Sequence, residues 1–291
     1  ARAIFALSSS TMEKTTQITD VVAFHGEGPA WHASWGGLRI VDMLAGDILT
    51  IGSDGSVERL PTGSSVAAFV RPRAGGGYVV GVERGVALAD SAFGAPVPQA
   101  EMWADPGVRM NEGGVDLSGR LYAGSMPYDK TPGGAKLYRI GADGAVDVVL
   151  DSVTTSNGID FTADGRLAYY NDTATGGTSV FDVDESGSLV NRRLFHDGDG
   201  GRPDGLCVDS EGNVWCAMNR VGKVRLYSPE AEVLGEWELP VRGVTAVTLG
   251  GEDLRDVFIT TSRQTADEPG AGAVFHRRAE VARQPLRAFA G

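Results

Sequence analysis

The sequence is poor in cysteine, in clustered basic residues and in long apolar runs. Its 291 residues include only two cysteines, which is too few for a disulfide framework. Acidic side chains outnumber basic ones by 38 to 26, and the net charge of −12 argues against a nucleic-acid-binding surface. No apolar stretch approaches the roughly 20 residues that a membrane-spanning helix needs. We therefore expect neither a nucleic-acid nor a membrane partner, and a cytoplasmic location.

The two cysteines, Cys207 and Cys216, flank residues 209–214, which have the composition of a hairpin turn. This symmetry predicts that the two side chains face each other across paired strands. A disulfide between them is one interpretation. Free buried thiols are the interpretation that fits a cytoplasmic protein.

The start of the chain lacks a recognisable targeting signal. Residues 1–11 have neither the basic start nor the long apolar core of a secretory signal. Because Met12 follows directly, we interpret residues 1–11 as sequence added ahead of a native start. We predict that residues 1–20 are an N-terminal extension and that residues 21–291 form a single domain.

A short unit recurs along the chain, consisting of an apolar strand, a turn centred on glycine and a second apolar strand. Five turn glycines follow one another at intervals of 40, 42, 46 and 47 residues: Gly37, Gly77, Gly119, Gly165 and Gly212. A sixth, weaker unit begins at residues 250–253. These intervals are typical of one four-stranded propeller blade. We predict an all-β fold, a six-bladed β-propeller with four-stranded antiparallel blades around a central channel. A β-sandwich is the alternative, but it does not account for the repeat.

Polar residues precede the predicted inner strand in four of the six units. They are Glu27, Asn111, Asn157 and Asp204, spaced 84, 46 and 47 residues apart, which corresponds to two blades, one blade and one blade. Because the inner strands of a propeller surround its axis, we expect these side chains to meet at one end of the channel. Their carboxylate and amide oxygens favour a hard cation such as Ca²⁺, Mg²⁺ or Mn²⁺. Each of them, taken alone, would be an ordinary turn residue.

The other units and the histidines give weaker indications. The sixth unit offers Thr245 at the corresponding position, and the second offers only small and apolar residues at 65–68. His25 lies two residues before Glu27 and is a candidate for the same channel. The remaining histidines, for which we expect structural or surface roles, are His32, His196 and His276. No serine-hydrolase elbow, P-loop or dinucleotide-binding fingerprint is present.

At these residues the sequence resembles the gluconolactonase family that includes regucalcin, also called senescence marker protein 30. The resemblance extends from about residue 24 to residue 291. It implies a six-bladed propeller, a divalent metal and hydrolysis of sugar lactones or related lactones. The segments that carry it are residues 26–29, 40–42, 109–113, 156–158, 164–165, 203–205, 209–215, 249–254, 260–261 and 270–275.

The resemblance also implies roles for individual residues. Glu27, Asn157 and Asp204 match the metal-binding positions of the family, and Asp204 also matches its general base. Arg109 and Asn111 match positions that contact the substrate, and Asn111 is additionally placed to approach the metal.

The chain departs from the family pattern at three positions. Glu112 stands where the family usually has aspartate, Val244 where it has proline, and Ser125 where it has threonine. These departures leave the identity of the substrate open.

We therefore predict a metal-dependent lactonase that opens a small lactone to its hydroxy acid. One divalent ion is expected, Ca²⁺ before Mg²⁺, Mn²⁺ or Zn²⁺. In this hypothesis Asp204 takes a proton from the attacking water, the cation stabilises the developing oxyanion and Arg109 orients the substrate. Phosphotriester hydrolysis at the same metal site and a non-catalytic binding platform are the alternatives. The sequence does not indicate the oligomeric state.

Overall fold

The computed structural model describes residues 14–291, in which β-strands are the dominant element. Twenty-four strands, numbered β1–β24 in chain order, form six sheets of four strands each. Pairing within every sheet is antiparallel. The first strand of each sheet contacts the first strands of its two neighbours, so the sheets close into a ring. The prediction of a six-bladed β-propeller is confirmed.

Each of the first five blades takes its strands in chain order from the channel outward. Blade 1 contains β2 (Gly26–His32), β3 (Gly37–Asp42), β4 (Asp47–Ile51) and β5 (Val57–Pro61). Blade 2 contains β6 (Ala67–Pro72), β7 (Tyr78–Val82), β8 (Gly85–Ala89) and β9 (Val97–Pro98). Blade 3 contains β10 (Val108–Val115), β11 (Leu121–Pro127), β12 (Ala135–Ile140) and β13 (Val146–Val153).

The second half of the ring follows the same plan. Blade 4 contains β14 (Ser156–Phe161), β15 (Leu167–Asp172), β16 (Thr178–Val183) and β17 (Leu189–His196). Blade 5 contains β18 (Arg202–Val208), β19 (Val214–Asn219), β20 (Lys223–Tyr227) and β21 (Val233–Glu238). Blade 6 contains β22 (Val244–Gly250), β23 (Asp256–Thr261), β24 (Phe275–Arg278) and, from the start of the chain, β1 (Thr16–Gln17).

Helical structure in the described range is limited to three short 3-10 turns, at Ala33–Trp35, Met43–Ala45 and Thr173–Thr175. No helix in residues 14–291 is long and apolar enough to cross a membrane.

Strand β1 closes the ring, because it supplies the outermost strand of blade 6. Thr16 pairs with His276 and Gln17 with Phe275. This strand lies inside residues 1–20, the segment predicted to be an extension outside the domain, so the predicted boundary cuts through a blade. A strand from one chain end that completes the last blade joins the two ends of the propeller by main-chain hydrogen bonds. The predicted start at Met12 and residues 1–11 lie outside the described range.

The hydrophobic core lies in layers between neighbouring blades. Between blades 5 and 6, for example, Trp215 and Val224 pack with Val247 and Ile259. Burying one such side chain stabilises the fold by about 1.5–3 kcal/mol. Close-packed layers of this kind resist deformation, and they hold the residues around the channel at fixed separations.

The two cysteines do not face each other. Cys207 pairs with Trp215 and Cys216 pairs with Leu206, so the hairpin is offset from the predicted symmetry. Successive residues of a strand point to opposite faces of the sheet, so Cys207 packs in the layer toward blade 6 and Cys216 in the layer toward blade 4. Both thiols are buried and free, as predicted.

Candidate active site at the mouth of the channel

The predicted site residues lie where the pairing of the innermost strands is irregular. A β-bulge bends its strand and redirects the side chains at the irregularity. Glu27, Asn157 and Asp204 therefore lie within their strands, and the prediction that they precede the strands is wrong. The irregular segments are residues 27–30 of β2, 67–70 of β6, 110–112 of β10, 156–159 of β14, 203–206 of β18 and 244–246 of β22.

The glycines that follow these residues have two different functions. Gly28 has a φ of 52°, a left-handed conformation that glycine adopts readily. Gly158 has no positive φ, but a Cβ on it would overlap the backbone nitrogen of Leu206 and lie 2.7 Å from the carbonyl oxygen of Asp204. The prediction that these glycines permit tight turns holds for Gly28, whereas Gly158 permits the close approach of the next blade.

One cavity of about 850 Å³ opens at the end of the channel where the innermost strands begin. All five predicted site residues border it and all five are buried: Glu27, Arg109, Asn111, Asn157 and Asp204. The structure thus brings together side chains that lie up to 177 positions apart, from residue 27 to residue 204.

The opposite end of the channel is closed by ion pairs. Arg71 Nη2 lies 3.1 Å from Glu112 Oε1, and Arg283 Nη2 lies 2.5 Å from Asp160 Oδ2. The cavity bordered by these four residues has a volume of only about 30 Å³. The end at which Glu27, Asn157 and Asp204 lie is therefore the one with room for a ligand of sugar size.

Asp204 and Asn157, which border the cavity, each have one buried oxygen without a hydrogen-bond partner in residues 14–291. Asn219 Nδ2 donates to Asp204 Oδ2 at 2.7 Å, whereas Asp204 Oδ1 is buried with no partner among the described residues. Asn157 Nδ2 donates to Thr173 Oγ1 at 3.0 Å, and Asn157 Oδ1 likewise has no partner in residues 14–291. Buried oxygens are nearly always hydrogen bonded. Two buried oxygens that lack hydrogen-bond partners and belong to one cavity are suited to coordinate a cation directly.

The electrostatics of Glu27 and Asp204 fit the same interpretation. Burial raises the pKa of Glu27 well above its usual range, and the nearby carboxylates of Asp204 and Glu112 raise it further. Burial also raises the pKa of Asp204, to about 7, while the hydrogen bond from Asn219 lowers it and Glu112 adds to the rise. A divalent cation between the two carboxylates would offset this repulsion. No three His, Cys, Asp or Glu side chains within residues 14–291 form a metal-sized group, so a cation at Glu27 and Asp204 would require a further donor such as the amide oxygen of Asn157.

His25 borders the same cavity, as its position near Glu27 had indicated. Burial lowers the pKa of its imidazole to about 3, and the charge of Arg109 contributes to the lowering. Its Nδ1 shares a hydrogen bond of 2.7 Å with Ser262 Oγ, and its Nε2 lies 3.9 Å from Glu27 Oε1. His25 is therefore a neutral hydrogen-bonding group next to Glu27 rather than its ionic partner.

Arg109 and Asn111 form a hydrogen-bonded pair on blade 3. Arg109 Nη1 donates to Asn111 Oδ1 at 2.8 Å, and Asn111 Nδ2 donates to the carbonyl oxygen of Ser156 at 2.6 Å. Both polar atoms of the Asn111 amide are thus engaged, which sets it apart from Asn157. No carboxylate within residues 14–291 lies at ion-pair distance from Arg109, although Glu27 and Glu83 are near enough to stabilise its charge.

Sequence reasoning missed several residues of the cavity and identified one residue that serves another purpose. Asn219, which holds Asp204, ends strand β19 and stands opposite Arg202, so the register of the two inner strands of blade 5 would have revealed it. Thr245 Oγ1 donates to the carbonyl oxygen of Gly26 at 2.6 Å, so it joins blade 6 to blade 1 and does not border the cavity. The other missed polar residues that border the cavity are Tyr128, Lys130, Thr154, Thr155, Thr173, Arg202, Arg220, Arg242, Gln264 and Thr265.

Comparison with known proteins gives the family. Residues 25–263 match the SMP-30/Gluconolactonase/LRE-like region. The chain belongs to this family. The resemblance read from the sequence is thereby confirmed.

Two relatives of this family member carry lactonase names. A 6-deoxy-6-sulfogluconolactonase of Pseudomonas putida is 36% identical over 280 residues, which cover 91% of this chain and 95% of the relative. A pentonolactonase of Haloferax volcanii is 31% identical, with coverage of 87% and 86%. Among solved structures, a calcium-binding protein named regucalcin from Agrobacterium tumefaciens aligns with a TM-score of 0.87. That alignment covers 94% of this chain and 96% of the other at 23% identity, a likeness that shows the fold.

Proposed function

We propose that the protein is a divalent-metal-dependent lactonase whose active site is the cavity at the mouth of the channel. The observation that carries this proposal is the convergence of Glu27, Asn157 and Asp204, with two bare buried oxygens among them. The lactonase names of family relatives that share nearly the whole length of the chain support the same reaction. The prediction of a lactone-opening hydrolase from the sequence agrees with these names.

Glu27, Asn157 and Asp204 are the residues that would hold the metal. Their donors are carboxylate and amide oxygens, which suit hard cations, and Ca²⁺ is the first candidate before Mg²⁺, Mn²⁺ or Zn²⁺. The bound cation would supply positive charge that polarises the lactone carbonyl and stabilises negative charge on its oxygen.

Asp204 is the proposed general base. Asn219 donates to Oδ2, so Oδ1 is the oxygen that would both contact the cation through one lone pair and accept a proton from a cavity water through the other. The water oxygen then forms a bond to the carbonyl carbon of the lactone. When the ring carbon–oxygen bond breaks, the ring oxygen leaves as a hydroxyl group and takes the proton that Asp204 had accepted. The product is the open hydroxy acid.

Arg109, Asn111 and His25 would bind and orient the substrate. The guanidinium of Arg109 is held by its hydrogen bonds to Asn111 Oδ1 and to the carbonyl oxygen of Met110, at 2.8 and 2.9 Å. A donor fixed in this way loses little conformational entropy when it binds an oxygen of the substrate. The neutral imidazole of His25 adds a hydrogen-bonding group without a second positive charge beside the metal position.

The proposal is tested by pH-stat hydrolysis of aldonolactones by metal-stripped protein, with Ca²⁺, Mg²⁺, Mn²⁺ and Zn²⁺ returned one at a time. We expect turnover that requires one of these ions and that falls at least about 100-fold in Asp204→Ala. A panel of phosphotriesters serves as the second arm. Turnover of phosphotriesters alone would change the assigned reaction, and binding of the ion without turnover of either panel would indicate a non-catalytic platform.

A further inference from the structure

The wall of the active-site cavity is rich in positive charge, although the protein as a whole is acidic. The whole chain carries 38 acidic and 26 basic residues. The only carboxylates among the residues that border the cavity are Glu27 and Asp204, the proposed metal ligands. Five basic side chains border it: Arg109, Lys130, Arg202, Arg220 and Arg242.

Most of these basic side chains have no acidic partner within residues 14–291. Arg242 pairs with Glu268, with 2.6 Å between Nε and Oε1. Lys130, Arg202 and Arg220 form no ion pair and no side-chain hydrogen bond with the described residues. All three are exposed, whereas Arg109 is buried deeper in the cavity.

The three arginines of blades 5 and 6 are neighbours through their backbone on the side of the cavity where Asp204 lies. Arg202 stands opposite Asn219 in the pairing of β18 with β19, and Arg220 directly follows Asn219. The backbone N–H of Arg220 donates to the carbonyl oxygen of Arg242 at 2.9 Å. Because Asn219 donates to Asp204, these contacts place the three arginines at the cavity rim near the proposed base, whereas Lys130 belongs to blade 3.

Two of these cations occupy backbone positions that favour glycine. Lys130 has a φ of 59° and Arg220 a φ of 70°, both in the left-handed region. Residues with long side chains are strained in this region, and such strain often accompanies a functional site. Glycine would relieve this strain, so each of the two positions offers a variant that removes the charge without adding backbone strain.

We propose that the substrate of this site is an anionic lactone, with a carboxylate or sulfonate group remote from the ring carbonyl. This inference rests on the proposed lactonase function. A bound divalent cation would neutralise Glu27 and Asp204, which leaves the basic residues at the mouth as the net charge of the cavity. The carboxylate formed by hydrolysis lies beside Asp204 on the cavity floor, so the exposed residues Lys130, Arg202 and Arg220 face a different anionic group, at the outer end of the substrate.

The test compares lactones that differ only in their terminal group. Gluconolactone ends in a neutral hydroxymethyl group. Glucarolactone of the same ring size carries a carboxylate in place of that group, and the third compound carries a sulfonate on the terminal carbon of gluconolactone in place of its hydroxyl. With metal-loaded protein at low ionic strength we expect kcat/KM for at least one of the two anionic lactones to exceed that for gluconolactone tenfold or more. Raising the salt concentration should lower kcat/KM for the anionic lactone and leave that for gluconolactone nearly unchanged. Comparison of the carboxylate with the sulfonate identifies the preferred anion.

Four variants separate the effect of charge from an effect on folding. Arg202→Gln removes one charge, and Arg220→Gly and Lys130→Gly remove one charge each while they relieve the strained backbone. Each should lower the anionic-to-neutral ratio of kcat/KM about fivefold, with a Tm equal to or above that of the wild type for the two glycine variants. Arg166→Gln is the matched control, because Arg166 is exposed and does not border the cavity; this variant should leave the ratio unchanged.

Two outcomes would overturn the inference in distinguishable ways. Equal or faster hydrolysis of gluconolactone, with the same salt response as for the anionic lactones, would refute the anionic substrate and leave the lactonase function standing. If no lactone is hydrolysed, the lactonase function fails, and calorimetric binding of glucarate and gluconate then tests the charge preference by itself. Tighter binding of glucarate, reduced in Arg202→Gln, would support the preference for a second anionic group, and equal binding would refute it.

Discussion

Replacing Asp204 by asparagine should stabilise the metal-free protein and at the same time abolish its activity. Asparagine has nearly the same shape, and its oxygen can still accept the hydrogen bond that Asn219 donates to Asp204 Oδ2. The substitution removes one of two buried carboxylates that destabilise each other's charged forms. Removal of the Asp204 carboxylate therefore causes both the loss of a metal ligand and the gain in stability of the metal-free protein.

The magnitude follows from the pKa of Asp204. In the folded metal-free protein the pKa of Asp204 rises from 3.8 to about 7. For an acid whose pKa is raised by folding, the folded state binds more protons, so stability is lost as the pH rises from the unfolded to the folded pKa. About three pKa units correspond to at most about 4 kcal/mol above pH 7. At about 2 °C per kcal/mol for a chain of this size, the Tm of Asp204→Asn should exceed that of the wild type by up to about 8 °C.

The assay is thermal unfolding of chelator-treated protein at about pH 4.5 and pH 8, for the wild type and for Asp204→Asn. The advantage of the variant should be small at the lower pH, where Asp204 is protonated in the folded protein, and should develop fully at pH 8. Addition of Ca²⁺ at pH 8 should raise the Tm of the wild type more than that of the variant, because only the wild type retains all three metal ligands.

Asp209→Asn is the matched control. Asp209 is also a buried aspartate of blade 5, but its Oδ1 accepts hydrogen bonds from the backbone N–H groups of Glu211 and Asn213, at 2.9 and 3.0 Å. It does not border the cavity. Its replacement should lower the free energy of unfolding by about 1–3 kcal/mol, and with it the Tm, at both pH values. A metal-free Asp204→Asn protein that is less stable than the wild type at pH 8, or that gains equally at both pH values, would refute the electrostatic reasoning.

Three further predictions concern residues around the site and the closure of the ring. Asn219→Ala should lower kcat about tenfold. It should also move the acid limb of the pH–rate profile to higher pH, since the lost hydrogen bond had lowered the pKa of Asp204. An acid limb at the wild-type pH would contradict a positioning role for Asn219. Gly158→Ala should lower the free energy of unfolding, measured by urea denaturation, by about 1–3 kcal/mol. Gly75→Ala is its control, because no atom lies within 4 Å of the added Cβ, and its free energy of unfolding should stay within about 0.5 kcal/mol of the wild-type value. A chain that begins at Asp20 lacks β1 and should show a lower Tm with an intact metal site; an unchanged Tm would contradict its role in closure.

The repeat made the propeller predictable, because each blade carries its own turn glycine and apolar strands. β1 was not predictable in the same way, since a two-residue strand has no periodicity and its pairing with Phe275 and His276 depends on the closed ring. The offset between Cys207 and Cys216 could not be predicted from the sequence pattern either, because a shift of one residue in register decides which face of a strand a side chain occupies.

The composition of the site was predictable, but its local chemistry was not. Glu27, Asn157 and Asp204 share a position in their repeats, and the channel brings such positions together. Their placement within bulged strands, and the difference between Asn157 with a bare oxygen and Asn111 with both amide atoms engaged, depend on hydrogen bonds between blades. Lys130 and Arg220 both lie between the second and third strands of their blades, but these loops differ in length and sequence, so only the three-dimensional arrangement shows that they border one cavity.

The central claim is that Glu27, Asn157 and Asp204 hold one divalent cation. A crystal structure of the protein grown with Ca²⁺, with anomalous difference maps, tests it most directly. We predict one strong peak at the channel mouth, about 2.3–2.6 Å from Asp204 Oδ1, Asn157 Oδ1 and a carboxylate oxygen of Glu27, and no such peak in Asp204→Asn at the same Ca²⁺ concentration. A fully occupied ion elsewhere, with Asp204 Oδ1 and Asn157 Oδ1 hydrogen bonded to protein groups or to water, would contradict the account.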